Sequence, residues 1–122
     1  MHVLVVESGV ELGRIWSAHM ERCGHRVSLV QTGRAAMDVL RHDEVHMIVL
    51  SLMLTDGNPF AISDYACYRW PDARVIFVTR SGFFSDGSIF MHAQNACACM
   101  PTTTPPDDLA SLVEHYGAHA PA

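Results

Sequence analysis

The chain contains no lysine. All eight of its basic residues are arginines, at Arg14, Arg22, Arg26, Arg34, Arg41, Arg69, Arg74 and Arg80, which excludes Schiff-base chemistry, a P-loop ammonium and a lysine general base. Basic charge is missing altogether from the last 42 residues, which carry Asp86, Asp107, Asp108 and Glu114, whereas residues 1–80 hold nine carboxylates and every arginine. With a net charge of −5, nucleic acid is not an expected partner, because the phosphate backbone needs a basic face. Long apolar runs are lacking too. The longest, Met47 to Leu54, is interrupted by Ser51 and falls far short of the ~20 residues that cross a bilayer, so no membrane association is expected. No basic lead precedes the amino-terminal apolar stretch, which therefore reads as a strand and not a signal peptide, and a cytoplasmic protein is expected. Four cysteines, Cys23, Cys67, Cys97 and Cys99, in a 122-residue chain that is 49% apolar are read as reduced thiols, since such a chain builds its own core without a disulfide framework.

What is present is an alternation of apolar strand-like runs with segments of helical period, the pattern of a parallel sheet covered on both faces. The strands are expected at Val3–Val6, Arg26–Val30, Val45–Leu50, Arg74–Thr79 and Ala96–Met100. Ser8 and Glu11 form an S-x-x-E capping box before a helix whose Leu12, Ile15, Trp16, His19, Met20 and Cys23 make one stripe ending at Gly24. Thr32 caps a second helix with Ala36, Val39 and Leu40 inward. Turn chemistry from Thr55 to Asn58 leads to Pro59 and a third helix through Phe60, Ile62, Ala66 and Tyr68 or Arg69. A weaker helix is expected near Asp86–Gln94 with Asn95 as a left-handed stop. A last helix follows Pro105 and Pro106, with Leu109, Leu112, Val113 and Tyr116 inward. Residues 1–117 then form one doubly wound α/β domain, with 118–122 a frayed tail. In such sheets ligands collect beyond the carboxyl ends of the strands, which here carry Glu7, Ser8, Ser51, Thr79 and Met100.

The segments VLVVES, HMIVLSLMLTDG, DARVIFVT and CACMP, in this order and spacing, resemble the receiver domain of two-component response regulators from Val3 to about Tyr116. The resemblance implies a flavodoxin-like (βα)5 sandwich with strand order 2-1-3-4-5. It also implies a phosphorelay role, in which an acidic pair after the first strand and an aspartate ending the third bind Mg²⁺, and that aspartate accepts phosphoryl from a histidine kinase.

The departures from that pattern fall on the chemistry. The acidic pair falls on Glu7 and Ser8, and the acceptor aspartate on Ser51. The charge-neutralising lysine of the fifth strand falls on Met100, whose thioether stabilises no anion. Thr79 matches the hydroxyl that couples phosphorylation to the switch, but the switch aromatic falls on Cys97. Met100-Pro101 falls at the family's cis peptide. A carboxylate is itself a nucleophile at neutral pH, whereas a serine hydroxyl needs a base, for which Glu7 is the nearest candidate. Mg²⁺ binding is expected to be lost or weak, with Glu7 alone as residual ligand.

The expected function is therefore that of a stand-alone pseudo-receiver. It is not an enzyme, is not phosphorylated, and acts on a protein partner such as a histidine kinase, a phosphotransferase or another receiver. One alternative is a small-ligand or redox-responsive pocket near Cys97, Cys99 and Met100; the two cysteines sit two apart on a strand, so their side chains are expected to share a face. A further alternative is residual phosphoryl acceptance at Ser51. Arg80, next to a strand end, is the candidate to replace the missing lysine. Phe83, Phe84, Ile89 and Phe90 have two readings. They either pack the fourth helix and cover the altered pocket, or form an apolar patch on the face of the fourth helix, fifth strand and fifth helix, suited to a partner or a homodimer.

Overall fold

The computed structural model describes residues 1–80 and 93–118. Five parallel strands, β1 (His2–Val6), β2 (Arg26–Val30), β3 (Met47–Ser51), β4 (Arg74–Thr79) and β5 (Ala96–Pro101), form one sheet in the order β2-β1-β3-β4-β5. The helices are α1 (Val10–Arg22), α2 (Gly33–His42), α3 (Pro59–Arg69) and α4 (Pro106–Ala118). The helix expected near Asp86–Gln94 falls mostly outside the described residues; Ala93 and Gln94 are not helical.

Every residue of β1 and β3 is buried, as continuous β-branched and leucine runs require in a strand covered on both sides. Alternation along these strands divides the core. Leu4, Val6, Ile48, Leu50, Val75 and Phe77 pack with Ala36, Leu40, Ile62 and Ala66 of α2 and α3. On the opposite face Val3, Val5, Met47, Val49, Ile76 and Val78 pack with Trp16 and Met20 of α1 and Leu109 and Val113 of α4.

The caps expected at Thr32 and Gly24 form, and Asn58 adds a third at the start of α3. Thr32 Oγ1 accepts from Ala35 N–H (3.1 Å) and Asn58 Oδ1 from Phe60 N–H (2.9 Å), and Gly24 follows α1 with φ +90°. The Ser8–Glu11 capping box does not form. Gly9 is the N-cap of α1 and makes no side-chain cap, because the Ser8 hydroxyl is used between loops. The inward stripe of α1 is also turned from the expected one: Gly13, Trp16, Ser17 and Met20 are buried, whereas Ile15 is 47% exposed and Cys23 is exposed. Small residues set the approach, since a Cβ on Gly13 would stand 2.8 Å from Leu29 Cδ1, so the helix closes on the sheet through Gly13 and Ser17. On α3, Tyr68 faces solvent at 82% exposure. The last helix runs to Ala118. Among the described residues no non-glycine has positive φ and no peptide is cis. Asn95 is therefore not a left-handed stop; its amide instead donates to Ser63 O (3.1 Å). Met100-Pro101 is trans, and β5 runs on through Pro101 opposite Thr79. No helix among the described residues is long and apolar enough to cross a membrane.

Candidate functional site

The sheet brings the carboxyl ends of β1, β3, β4 and β5 to one edge of the molecule, and Glu7, Ser8, Ser51, Thr79 and Met100 lie there. Glu7, Ser51 and Thr79 are buried, at 5%, 1% and 7% exposure. Alternation along β1 and β3 places Glu7 and Ser51 on the α1 side of the sheet, the side on which Met100 also packs.

Glu7 lies below the start of α1, where the first N–H groups of the helix have no partner within it. Its Oε1 accepts from Gly9 N–H at 3.3 Å; Oε2 is buried and makes no hydrogen bond among the described residues. A carboxylate gains from the positive end of a helix dipole, but a single long hydrogen bond leaves most of its desolvation uncompensated.

Ser51 is held differently. Its Oγ accepts from Met53 N–H at 3.1 Å, so the hydroxyl closes a turn of its own loop. The next residue is tied down as well, with Leu52 N–H donating to Val78 O (2.8 Å). Neither oxygen of Glu7 is engaged with the Ser51 hydroxyl, so the nucleophile and base needed for serine chemistry are not paired.

Ser8 joins the mouth of the site together. Its Oγ accepts from Thr55 N–H (3.1 Å) and Thr55 Oγ1–H (3.3 Å) and contacts Gln31 O at 3.4 Å. This link between the β1–α1 and β3–α3 loops could not be foreseen from a pattern that makes Ser8 a helix cap. A second link lies beneath it: Gly33 N–H donates to Asp56 O (2.9 Å), and a Cβ on Gly57 would stand 2.7 Å from Gly33 Cα. The turn signal at Gly57 was present in the sequence; its backbone neighbour was not.

Cys97 and Cys99 do not share a face. The β4–β5 ladder shifts register between Val75 and Ile76, so that Val75 pairs with Ala96 but Ile76 pairs with Ala98. Cys97 is the extra residue of a β-bulge. It packs with the α1–α4 cluster and Cys99 with the α2–α3 cluster. The bulge thus separates the two thiols that a regular strand would have brought together. Burial pushes the Cys97 thiol up to about 11, more than the nearby Arg74 guanidinium draws it down, and burial raises Cys99 too. Both are poor thiolates at neutral pH, which counts against a redox-responsive pocket.

Met100 is half-buried and uncharged, and Arg80 is exposed just past β4. Phe83, Phe84, Ile89 and Phe90 lie outside the described residues. Mg²⁺ is usually held by one or two carboxylates, with water and phosphate oxygens completing its octahedron, and the donor set here offers it one carboxylate. Among the described residues Glu7 is the one carboxylate at these strand ends, and no three His, Cys, Asp or Glu side chains group to hold a metal ion. Two cavities lie away from the site, one of about 160 Å³ beside Asp72, Arg74 and Asn95 and one of about 340 Å³ between α1 and α4 beside His19 and Asp107.

No family model matches this chain, and no curated protein does. Solved structures do. The CheY-like response regulator receiver domain protein of Methanospirillum hungatei JF-1 superposes with a TM-score of 0.87 at 16% identity, over 97% of this chain and 94% of that one. The non-phosphorylated HemR receiver domain of Leptospira biflexa gives 0.86 at 21% identity over 99% and 97%. The BeF3-activated DrrB receiver domain gives 0.82 at 22% identity over 94% and 95%. The chain is similar to receivers in both unmodified and activated forms, and what it shares with them is the flavodoxin-like receiver fold.

Proposed function

We propose that this chain works in two-component signalling as a receiver-type module that recognises a protein partner and does not take up phosphoryl at Ser51. One observation carries the reading. At the strand end where a receiver presents a carboxylate, a serine hydroxyl is 1% exposed and accepts a hydrogen bond from Met53 of its own loop. Phosphoryl transfer needs an exposed nucleophile and cations positioned around the transferred group. Here the hydroxyl is enclosed, the fifth-strand position is Met100, and the chain has no lysine to replace it. The partners that suit a receiver fold are a histidine kinase, a phosphotransferase or a second receiver.

The test is incubation with acetyl phosphate and Mg²⁺ followed by intact-mass measurement. No phosphoryl gain is expected; a stoichiometric gain on Ser51 would overturn the proposal.

A further inference from the structure

Glu7 is the least satisfied polar group in the described molecule that also lies at the candidate site. It is 5% exposed, one oxygen has a single long hydrogen bond from Gly9, and the other has none. Burying an ionised carboxylate with so little compensation destabilises a fold unless a cation completes it.

The described surroundings narrow the class of cation. Mg²⁺ dehydrates reluctantly and keeps several of its waters, so a hydrated ion is poorly matched to a carboxylate oxygen that is buried. A guanidinium is planar, weakly hydrated and carries five N–H donors on an apolar stem. The segments at this edge present two exposed apolar side chains, Val10 at the start of α1 at 41% and Met53 after β3 at 48%. They flank the site in the chain, three residues after Glu7 and two after Ser51, and the Ser8–Thr55 hydrogen bonds hold their loops together. A buried carboxylate with exposed apolar residues close to it in the chain complements an arginine side chain, whose charged head sits on an apolar stem.

We infer that Glu7 is the anchor for an arginine side chain presented by the partner protein. The guanidinium would sit on the free carboxylate oxygen and the aliphatic stem would lie along Val10 and Met53. This deepens the interaction reading above and rests on it. No proton is transferred and no bond is made or broken covalently. Because Oε2 is buried, contact with it requires the Glu7 side chain to turn toward the mouth and give up the Gly9 hydrogen bond.

The experiment uses the full chain with N-acetyl-arginine amide as probe, and N-acetyl-lysine amide, Mg²⁺ and NaCl as comparisons, read by the ¹⁵N–¹H shift of Gly9 and by the melting temperature. The arginine amide is expected to move the Gly9 resonance saturably and to raise the melting temperature, more than the lysine amide and far more than NaCl. Glu7→Gln is expected to melt higher than the parent chain, since it removes the uncompensated carboxylate, and to lose the arginine response. Glu7→Asp, which keeps the charge, should retain a weakened response. The inference is overturned if Mg²⁺ moves Gly9 and arginine does not, if no cation moves it, or if Glu7→Gln melts lower and shows the carboxylate to be satisfied. A silent Gly9 leaves the phosphoryl test above unaffected, so the two readings fail separately.

Discussion

β3 and β5 reach the same edge of the molecule in different ways. β3 is central, all five of its residues are buried, and it pairs without a register break to β1 and β4. β5 is an edge strand in which Ala98 alone is buried, and it takes in an extra residue at Cys97. A strand enclosed on both faces admits one register, because a slip of one residue would turn every side chain to the wrong cluster. An edge strand has a free side along which an extra residue can be absorbed. The ends of the two strands differ accordingly. Ser51 stands where simple alternation puts it, whereas the thiols of β5 are divided between the two cores.

The contrast can be broken first by truncation. Ile48→Ala in β3 should destabilise the protein by about 2–5 kcal/mol, and Cys99→Ala in β5 by about 1 kcal/mol, measured by urea denaturation. Equal losses would show that β5 is packed as firmly as β3. A smaller effect tests the loop that carries Ser51 away from the sheet. Gly57 has φ +111° and would place a Cβ 2.7 Å from Gly33 Cα, while Gly24 has φ +90° with open space around it. Gly57→Ala should therefore cost about 1–3 kcal/mol and Gly24→Ala about 1 kcal/mol. If the two cost the same, the contact between the glycines contributes nothing beyond backbone strain.

The smallest effect lies on the bulge. Burial raises the Cys97 thiol from 9.0 to about 11, so the folded chain holds this proton more tightly than the unfolded chain does. The resulting stability is fully present below the unfolded value and is lost as pH rises through the folded one. Denaturation midpoints should fall through that alkaline window, and Cys97→Ala should flatten the fall. Near neutral pH, iodoacetamide should label the exposed Cys23 well before Cys97; equal rates would show the bulge to be open.

Much of the fold was legible because it follows from local rules. The bounds of β2 and β4, the Thr32 cap, Pro59 in the first turn of α3 and Gly24 after α1 each depend on a few neighbouring residues. The candidate site was legible as a set of positions and not as a set of contacts. Ser8 satisfies the capping-box pattern, yet its hydroxyl takes the Thr55 N–H, a residue 47 positions away. Ile15 falls in the apolar stripe of α1, yet Gly13 and Ser17 turn the helix so that it faces out.

The sequence by itself determined the alternation of strands and helices, the residue types Ser51 and Met100 at the strand ends, and the absence of any lysine. These are matters of residue type and order. Only the tertiary structure decided that Ser51 is enclosed and bonded to its own loop, that Cys97 and Cys99 face opposite cores, and that Glu7 keeps a buried oxygen without a partner among the described residues. Burial and hydrogen-bond satisfaction depend on groups that meet across the sheet, such as Gly33 with Gly57, Ser8 with Thr55 and Val75 with Ala96. No local pattern specifies which of those groups will be near enough to bond.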